Sequence, residues 1–398
     1  MAVPPFFQPN TIYCGDCRDI LRKFPENSVD LIYADPPFFS NKQYEVIWDD
    51  GYEIRAFEDR WKGGIQNYVL WMRERIEECY RVLKETGLFY LHCDHHAGHY
   101  LKVTCDDVFG YNNFRNEIVY CYSGGGIPRK DFPRKHDTIF RYSKGQNYVY
   151  NPVYRPYTQG TLQRGRTKVK GKHAKLRPEG TPVTDWWIDV KYIHSPTDKE
   201  KLGYPTQKSE ELLNRIITSS SNEGDIILDP FCGCGTAIAV AHKTNRLWIG
   251  IDVSPTACNL MESRMRSIKV KDFHLVGMPM DIDSLKTIDP FEFQNWVIQR
   301  LYGRVSPSRS GDYGIDGYTY EGHPVQVKQS ENIGRNVVDN FETAIRRMNK
   351  TTGFIVAFSF GKGAYEEIAR AKNVGGLDIT AITVEDLLKN RRNRSQAS

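Results

Sequence analysis

The sequence contains no long hydrophobic run. Its apolar stretches stay under about ten residues, whereas a helix that spans a bilayer needs about 20. The first ten residues, MAVPPFFQPN, also lack the basic start and the apolar core of a signal peptide. These two absences predict a cytoplasmic protein with no membrane partner.

The sequence also lacks the phosphate-binding GxxxxGK[ST] loop. Gly124–Gly126, followed by Arg129 and Lys130, imitates it poorly, so we expect no ATP-driven motor. The nine cysteines are odd in number and have no repeating spacing, which favours reduced thiols over a disulfide framework. Cys14-x-x-Cys17 has no second pair to complete a metal site, so a metal or redox role for it is only an alternative.

No strong excess of either charge is present, since the formal net charge is only +5. One segment departs from this balance, because residues 155–177 are rich in lysine and arginine and contain no acidic residue. Such a segment is either a solvated basic loop or a surface that binds nucleic-acid phosphates. Under the second interpretation, we expect the phosphate contacts to come from Arg164, Arg166, Lys168 and Lys170.

Two short motifs, far apart in the chain, each follow an apolar run that is typical of a buried strand. Asp35–Phe38 (DPPF) follows SVDLIYA, and Asp229–Thr236 (DPFCGCGT) follows DIILD. Apolar runs bounded by turn residues are typical of parallel sheets. The motifs then lie where strands end, which is where open α/β sheets bind ligands. We therefore predict an α/β fold with a ligand loop at each of these two strand ends.

The DPPF motif suits a planar amine substrate. Pro36 and Pro37 restrict φ, so the backbone between Asp35 and Phe38 is preformed. The Asp35 carboxylate and the Pro36 carbonyl can each accept a hydrogen from an exocyclic amine, while Phe38 can stack on the base. Two acceptors favour a pyramidal nitrogen, which promotes methyl transfer by orientation and electrostatics. The stacking residue implies that the base leaves the duplex. Taken alone, DPPF could also be a strand-end turn.

The glycine loop suits a cofactor that has no phosphate. Gly233 and Gly235 let the backbone approach a ligand closely, and Thr236 is expected to cap the following helix. Asp252 ends the next predicted strand, LWIGID, where an acid can bind a ribose hydroxyl pair. The spacing is not the G-x-G-x-x-G of a dinucleotide fold, which favours S-adenosylmethionine. A tight structural turn is the alternative.

Residues 10–265 resemble the amino-DNA methyltransferases of the β class, in which the motif order is permuted. The likeness is carried by YCGDCRDIL, DLIYADPPFF, FRNEIVYCY, HDTIFRYSK, PTQKSEELLNRII and ILDPFCGCGTAIAVA. It implies a Rossmann-like, mostly parallel seven-stranded sheet flanked by helices, with residues 145–195 as an inserted target-recognition segment. It also favours adenine N6 as the methyl acceptor, and cytosine N4 stays open.

The same resemblance implies further cofactor contacts. Asp16 would contact the cofactor adenine. Thr206 and Lys208 belong to the element that opens a helix and closes over the methionine end. Asp229 and Phe231 belong to the cofactor loop.

The C-terminal part carries a second candidate site. Two short predicted strands, joined by a turn at Glu321–Gly322, would bring Asp316 near Lys328. Asp316 and Gln326 would supply oxygen ligands for Mg²⁺, and Lys328 would stabilise or activate the attacking water.

This second pattern resembles the PD-(D/E)xK nucleases of the Mrr-like restriction type, in which Gln replaces the second acid. These nucleases usually have an upstream helix acid. Glu292 lies close to its expected place, and Gln294 is the other candidate for that place. The alternative is a degenerate nuclease domain that has no cleavage activity and serves only for DNA binding or for packing.

The sequence therefore predicts a fused restriction–modification enzyme. Residues 1–275 would form the S-adenosylmethionine-dependent methyltransferase domain, and residues 283–398 a small α/β restriction-endonuclease-like domain. The expected partner is double-stranded DNA in a bacterial or archaeal nucleoid, and a homodimer is one open assembly. The alternatives are a methyltransferase with a silent tail, a non-enzymatic DNA-binding protein and an enzyme that acts on RNA.

Overall fold

In the part of the chain that this computed structural model describes, the strands form one sheet of nine, one of five and three two-stranded sheets. The structure describes residues 6–40, 43–47, 53–58, 64–124, 126, 128–169, 172–193, 198, 200, 207–279, 281–301, 303–306 and 314–392. The strands are β1 (Thr11–Cys14), β2 (Val29–Ala34), β3 (Gln43–Ile47), β4 (Glu53–Glu58), β5 (Leu83–Cys93), β6 (Phe114–Cys121), β7 (His136–Ser143), β8 (Tyr154–Arg155), β9 (Arg166–Val169), β10 (Lys172–Lys175), β11 (Thr181–Pro182), β12 (Trp186–Trp187), β13 (Ile226–Asp229), β14 (Leu247–Asp252), β15 (His274–Val276), β16 (Arg304–Val305), β17 (Gly317–Tyr318), β18 (Pro324–Lys328), β19 (Thr352–Ala357) and β20 (Asp378–Thr383). The α-helices are α1 (Cys17–Leu21), α2 (Gly64–Val82), α3 (Gly98–Phe109), α4 (Gln159–Arg164), α5 (Glu210–Ser220), α6 (Thr236–Lys243), α7 (Pro255–Ser267), α8 (Ile282–Thr287), α9 (Pro290–Arg300), α10 (Arg335–Arg347), α11 (Lys362–Gly375) and α12 (Val384–Arg392).

The large sheet has the order β12-β6-β7-β5-β2-β13-β14-β1-β15. Its central strands are buried on both faces, as the apolar runs in the sequence predict. In β2, Ile32 packs into one hydrophobic core, whereas Leu31 and Tyr33 pack into the core on the other face. Strands β2 and β13 are distant in the chain but pair in parallel, with Leu228 beside Ile32.

The parallel block β2-β13-β14-β1 collects acidic residues at one edge of the sheet. Parallel strands all present their carboxyl ends at the same edge, so the residues that end or follow them are brought together. Four such positions hold aspartate: Asp16 after β1, Asp35 after β2, Asp229 at the end of β13 and Asp252 at the end of β14.

The predicted α/β class and mostly parallel sheet are confirmed. Seven strands, from β6 to β1 in the sheet order, form the expected sheet, and a short strand is added at each edge. These edge strands are Trp186–Trp187 and His274–Val276. Strands of two or three residues are too short to leave a periodic signal in the sequence.

The C-terminal sheet has the order β16-β17-β18-β19-β20. The predicted hairpin forms, because β17 and β18 pair antiparallel with Gly317 opposite Val325. Helix α9 packs against α7 of the first domain, and one hydrophobic cluster includes Leu260 on one side and Trp296 on the other.

The segment 145–195 contains only short elements in its described residues, including the antiparallel pair β9–β10. Its β12 joins the edge of the large sheet beside β6. Across the described ranges, no helix has both the length and the apolar character needed to cross a bilayer.

Candidate active site

A cavity of about 340 Å³ opens at the edge of the large sheet where the aspartates collect. It is lined by residues of both sequence motifs, Asp35–Phe38 and Asp229–Thr236, which are far apart in the chain. Within the described residues, every residue predicted for methyl transfer or for the cofactor lines this cavity, except Gly235. Thr206 lies outside the described residues. The roles of these residues toward a ligand stay predictions.

The DPPF loop places a carboxylate with one unused oxygen at the cavity wall. Lys208 donates from Nζ to Oδ2 of Asp35 at 2.6 Å. The other oxygen, Oδ1, is buried and has no hydrogen-bond partner among the residues that the structure describes. The Pro37 carbonyl accepts a hydrogen bond from the Tyr68 hydroxyl at 2.6 Å, which fixes the loop. A buried acceptor without a partner is costly, so this geometry suits a ligand that donates a hydrogen bond.

Lys208 was predicted to contact the cofactor, and in the structure it contacts the DPPF loop. Its ammonium lies 4.9 Å from the centre of the Phe38 ring, in addition to its ion pair with Asp35. Burial disfavours the charge on Lys208, but the carboxylates of Asp35 and Asp137 outweigh burial and raise the pKa of the ammonium. Lys208 therefore carries a positive charge beside the predicted substrate loop.

The glycine loop is held by backbone hydrogen bonds to two of the aspartates. The Phe231 N–H donates to Asp229 Oδ1 at 3.0 Å, and the Gly233 N–H donates to Asp252 Oδ2 at 2.8 Å. Gly233 has φ 52° and Gly235 has φ 79°, so both adopt the left-handed conformation that glycine tolerates. At Gly235 a Cβ would also come within 2.9 Å of Met261 Cγ. The loop thus needs glycine at both positions.

Burial affects the two aspartates of this loop strongly. It raises the pKa of Asp252 to about 6, although the N–H groups of Ser254 and Gly233 oppose the shift. Burial also raises the pKa of Asp229 well above its ordinary value. Perturbed carboxyl groups that line a cavity are a common property of functional sites.

Thr236 differs from the prediction in one respect. Gly235 occupies the N-cap of α6, and no side chain caps this helix end. Thr236 is the first helical residue, and its hydroxyl accepts a hydrogen bond from Arg264 Nη1 at 2.9 Å. The predicted capping role was therefore wrong, because the left-handed glycine already turns the chain into the helix.

The wall around Asp16 contains two residues that the sequence analysis missed. Arg75 forms an ion pair with Asp16, and its guanidinium lies 3.7 Å from the centre of the Trp71 ring. Asp16 also accepts from the Arg18 N–H at 2.9 Å, which caps α1. Trp71 and Arg75 are one turn apart on α2, and both line the cavity. Their spacing also suits an ordinary amphipathic helix, so the sequence carried no separate signal for them.

A second group missed from the sequence is a buried polar network behind the DPPF loop. The ring of His92 is 5.8 Å from that of Phe38, and its Nε2 lies 3.2 Å from Asp137 Oδ2. A carboxylate can only accept, so Nε2 donates to Asp137, and the Tyr33 hydroxyl is hydrogen-bonded to Nδ1 at 2.7 Å. Burial opposes ionisation of Asp137, but the hydrogen bond from His92, together with the charge of Lys208 and the hydrogen bond from Tyr122, outweighs burial and lowers the pKa of Asp137. This buried polar network therefore lies next to the Phe38 ring.

The predicted metal residues of the C-terminal domain lie on the hairpin. The Val327 N–H donates to Asp316 Oδ2 at 2.7 Å, so Asp316 lies against the residue between Gln326 and Lys328. Gln326 is 3% exposed, and its Oε1 is buried without a hydrogen-bond partner in the described part of the chain. Burial raises the pKa of Asp316 to about 6, against the opposing effects of the Val327 N–H and the Lys328 charge. An orphaned amide oxygen and a half-buried carboxylate on the same hairpin are oxygen ligands of the type that a hard cation prefers.

The upstream helix acid is not where the nuclease pattern requires it. Glu292 of α9 accepts hydrogen bonds from Ser254 and Thr256 of the first domain, away from the hairpin. Gln294 instead donates from Nε2 to the backbone carbonyl of Asp316 at 2.8 Å. Residues two apart on a helix differ by about 200° in direction, so the two side chains leave opposite sides of α9. Gln294 is therefore the residue of this pair that contacts the hairpin.

The basic segment is only partly described. Arg164 ends α4 and Arg166 begins β9, and both are exposed. The backbone of Lys168 lies in β9, whereas Lys170 lies outside the described residues.

Two clusters in the described residues have enough close histidine or carboxylate groups to hold a metal. These are Asp94–His95–His96 and the group Asp339, Glu342 and Glu367, and Cys14 and Cys17 belong to neither. The carboxylates of the second cluster form ion pairs with arginines, which leaves little reason for a metal there.

Comparisons with known proteins agree with this arrangement of two regions. A family model described as "DNA methylase" matches residues 29–263, and one described as "Restriction endonuclease" matches residues 285–389. The type II methyltransferase M.BamHI of Bacillus amyloliquefaciens is 32% identical over 69% of this chain and 62% of its own length. The type II methyltransferase M.HpaI of Haemophilus parainfluenzae is 30% identical over 64% of this chain and 74% of its own.

The DNA adenine methyltransferase YhdJ of Escherichia coli K12 is 32% identical over 62% of this chain and 79% of its own length. Among solved structures, the cytosine-N4-specific PvuII DNA methyltransferase aligns with a TM-score of 0.44 and 15% identity, over 68% of this chain and 95% of that one. The match of the family model over residues 29–263 shows that the chain belongs to the DNA methylase family, and the C-terminal part matches the restriction endonuclease family.

Proposed function

We propose that this protein methylates the exocyclic amine of adenine (N6) in double-stranded DNA, with S-adenosylmethionine as the methyl donor. The observation that carries the proposal is that Asp35, whose buried Oδ1 has no hydrogen-bond partner among the described residues, lines the same cavity as the glycine loop. The DPPF loop precedes the glycine loop in the chain, which supports the permuted β class. Membership of the DNA methylase family supports DNA as the substrate.

The cavity suits S-adenosylmethionine in size and in chemistry. A volume of about 340 Å³ lies in the range of small-molecule sites. Asp252 would hold the ribose hydroxyls, and Gly233 would let the chain approach the ligand closely. Asp16, with Trp71 beside it, would contact the adenine. When bound, this cofactor supplies an electrophilic methyl group.

The DPPF loop would promote methyl transfer by positioning the target amine. Asp35 Oδ1 and the Pro36 carbonyl would each accept one hydrogen of the target amine, which directs the nitrogen lone pair away from the ring plane. Phe38 would stack on the extruded base, supported from behind by His92. Lys208 donates to Oδ2 of Asp35, which leaves Oδ1 as the acceptor for the target amine.

The choice of base is the finer part of the proposal. Similarity to YhdJ, which is described as a DNA adenine methyltransferase, supports adenine. The amine of cytosine presents the same two hydrogens to the same acceptors, so N4 methylation is the alternative. We further propose that residues 145–195 contact DNA, with the exposed Arg164 and Arg166 bound to phosphates.

Transfer of labelled methyl groups from S-adenosylmethionine to DNA tests the proposed function. The wild type should incorporate label, and Asp35→Asn should not, because an amide cannot replace the carboxylate as an acceptor of equal strength. Cofactor binding by Asp35→Asn, measured by calorimetry, should stay within a few-fold of wild type. Asp19→Asn is the control, since Asp19 is an exposed carboxylate on α1 outside the cavity. Full turnover by Asp35→Asn would contradict the assigned role.

A second activity, divalent-metal-dependent DNA cleavage, is favoured by the buried and unpartnered Oε1 of Gln326. Asp316 and Gln326 would hold the metal, and Lys328 would stabilise or activate the attacking water. Mg²⁺ demands near-ideal octahedral geometry, whereas a site with an amide ligand suits Mn²⁺ better. We therefore expect cleavage to be stronger with Mn²⁺ than with Mg²⁺.

Plasmid cleavage on unmethylated and on self-methylated DNA tests this second activity. Lys328→Ala should abolish cleavage and leave methylation intact, because Lys328 lies in the other domain. Lys362→Ala, at a highly exposed lysine of α11, is the control. If neither metal supports cleavage by the wild type, the tail is a silent DNA-binding domain; cleavage by Lys328→Ala at the wild-type rate would assign the activity to another site.

A further inference from the structure

We propose that Glu292, from the C-terminal domain, is a positioning residue for the cofactor site of the first domain. It fixes the start of α7, which in turn fixes Asp252. The methyltransferase site would thus depend on a side chain that the restriction-endonuclease-like domain provides. The inference rests on the proposed function, because it concerns the same cofactor site.

A continuous chain of hydrogen bonds joins Glu292 to Asp252. Ser254 donates from Oγ to Glu292 Oε1 at 2.7 Å, and its backbone N–H donates to Asp252 Oδ1 at 2.9 Å. The same Ser254 hydroxyl accepts from the Ala257 N–H at 3.1 Å and so caps α7. Thr256 Oγ1 donates to Glu292 Oε2 at 3.1 Å. Ser254 therefore links the two carboxylates, because it donates to Glu292 through its hydroxyl and to Asp252 through its backbone N–H.

The carboxylate of Glu292 lies at the beginning of two helices at once. On α9 it follows the N-cap Asp289, which accepts from the N–H groups of Phe291 and Glu292. On α7 it meets the first turn, through Ser254 and Thr256. The positive ends of both helix dipoles, like the hydrogen bonds from Ser254 and Thr256, offset only part of the cost of burying a negative group at this place. Burial raises the pKa of Glu292 to about 7, with Asp252 as a further nearby carboxylate, which agrees with an enclosed position.

A second contact ties the glycine loop to the same domain. Cys234 lies between the two loop glycines and lines the cavity. Its side chain also belongs to a hydrophobic cluster that includes Phe293 and Trp296 of α9. Further along the interface, Asn259 donates to Gln299 at 3.1 Å. Helix α9 thus contacts residues next to the cavity at two separate points: Glu292 binds Ser254, and the hydrophobic cluster packs against Cys234.

Loss of Glu292 should weaken cofactor binding without changing the chemistry of transfer. Glu292→Ala removes both acceptors from Ser254 and Thr256, which frees Ser254 and loosens Asp252. A hydrogen bond to a charged group is typically worth a factor of ten or more, and Glu292 acts through one intermediate residue, so we expect about five- to tenfold weaker binding. Glu292→Gln keeps a carbonyl acceptor for Ser254 and should recover part of the loss.

Calorimetric titration of the full-length protein with S-adenosylmethionine tests the proposal. Glu292→Ala should raise the dissociation constant and KM for S-adenosylmethionine five- to tenfold, with Glu292→Gln in between and kcat at saturating cofactor within twofold of wild type. Glu331→Gln, at an exposed glutamate of the same domain, is the control and should match wild type. A purely structural defect would instead lower the bound stoichiometry and leave the dissociation constant of the folded fraction unchanged.

The outcomes separate this inference from the proposed function. If the wild type itself binds no S-adenosylmethionine, the proposed function is wrong. If the wild type binds and Glu292→Ala binds equally tightly, the positioning role of Glu292 is wrong while the proposed function stands. Lower stoichiometry alone, with no change in affinity, also overturns the positioning role.

Discussion

Removal of Lys208 should destabilise the first domain by leaving Asp35 as an unpaired, enclosed charge. The two side chains are only 9% and 15% exposed, and Lys208 Nζ lies 2.6 Å from Asp35 Oδ2. Loss of one partner from a buried ion pair costs ~3–5 kcal/mol, and the residual exposure of Asp35 favours the lower end. We therefore expect Lys208→Met to lower the free energy of unfolding by ~3 kcal/mol.

The double variant makes this prediction specific to the pair. Asp35→Asn with Lys208→Met replaces both charges by neutral groups, so its loss of stability should be ~2–3 kcal/mol smaller than the sum of the two single losses. Urea unfolding of the four proteins gives this coupling energy directly. The ion pair Glu262–Arg266 has a similar distance, 2.7 Å, but exposes 66% of the arginine, and its coupling should be only ~0.3–0.5 kcal/mol.

A coupling energy for Asp35 and Lys208 as small as that of the exposed pair would refute the reasoning. It would mean that water reaches Asp35 freely. The unpartnered Oδ1 would then be a solvated oxygen and not an acceptor kept for a substrate.

Three further predictions concern the cofactor, the basic segment and pH. Asp252→Ala should weaken S-adenosylmethionine binding by ~1.5–3 kcal/mol, the range for a hydrogen bond to a charged group, and calorimetry on this variant measures it. Neutralising Arg164, Arg166, Lys168 and Lys170 should reduce the log–log slope of DNA affinity against salt by about 0.9 for each phosphate that the variant no longer binds; an unchanged slope would indicate a solvated loop. Burial raises the pKa of Glu292 from 4.5 to about 7, so its contribution to stability is fully present below pH 4.5 and is lost as the pH rises through about 7. The wild type should therefore lose more stability than Glu292→Gln over this interval, by at most ~3.5 kcal/mol at ~1.4 kcal/mol per pKa unit. Thermal or urea unfolding of both proteins at several pH values measures this difference, and an equal loss in the two proteins would show that the carboxyl group is not buried.

The central cavity could be predicted from the sequence because its parts follow strand ends. Asp35 and Asp252 each come at the end of an apolar run, and parallel pairing brings such ends together whatever their distance in the chain. The left-handed glycines Gly233 and Gly235 could likewise be predicted, since few other residues tolerate that backbone conformation.

Other features could not be predicted because they depend on how separate elements pack. The sequence of α2 indicates an amphipathic helix, but not that Trp71 and Arg75 turn toward the cavity. Lys208 looked like a cofactor contact, and only the packing of its segment against the DPPF loop brings it to Asp35. Glu292 looked like a nuclease acid, and its true neighbours belong to another domain. In each case the residue type was informative, but its partner was set by tertiary contacts.

The nucleoside composition of the methylated product tests the central claim most directly. DNA incubated with the wild type and S-adenosylmethionine would be digested to nucleosides and separated by mass spectrometry, beside a reaction with Asp35→Asn. We predict N6-methyldeoxyadenosine in the wild-type reaction and none above background with Asp35→Asn. Absence of any methylated exocyclic amine from the wild-type reaction, or equal product from both proteins, would contradict the account.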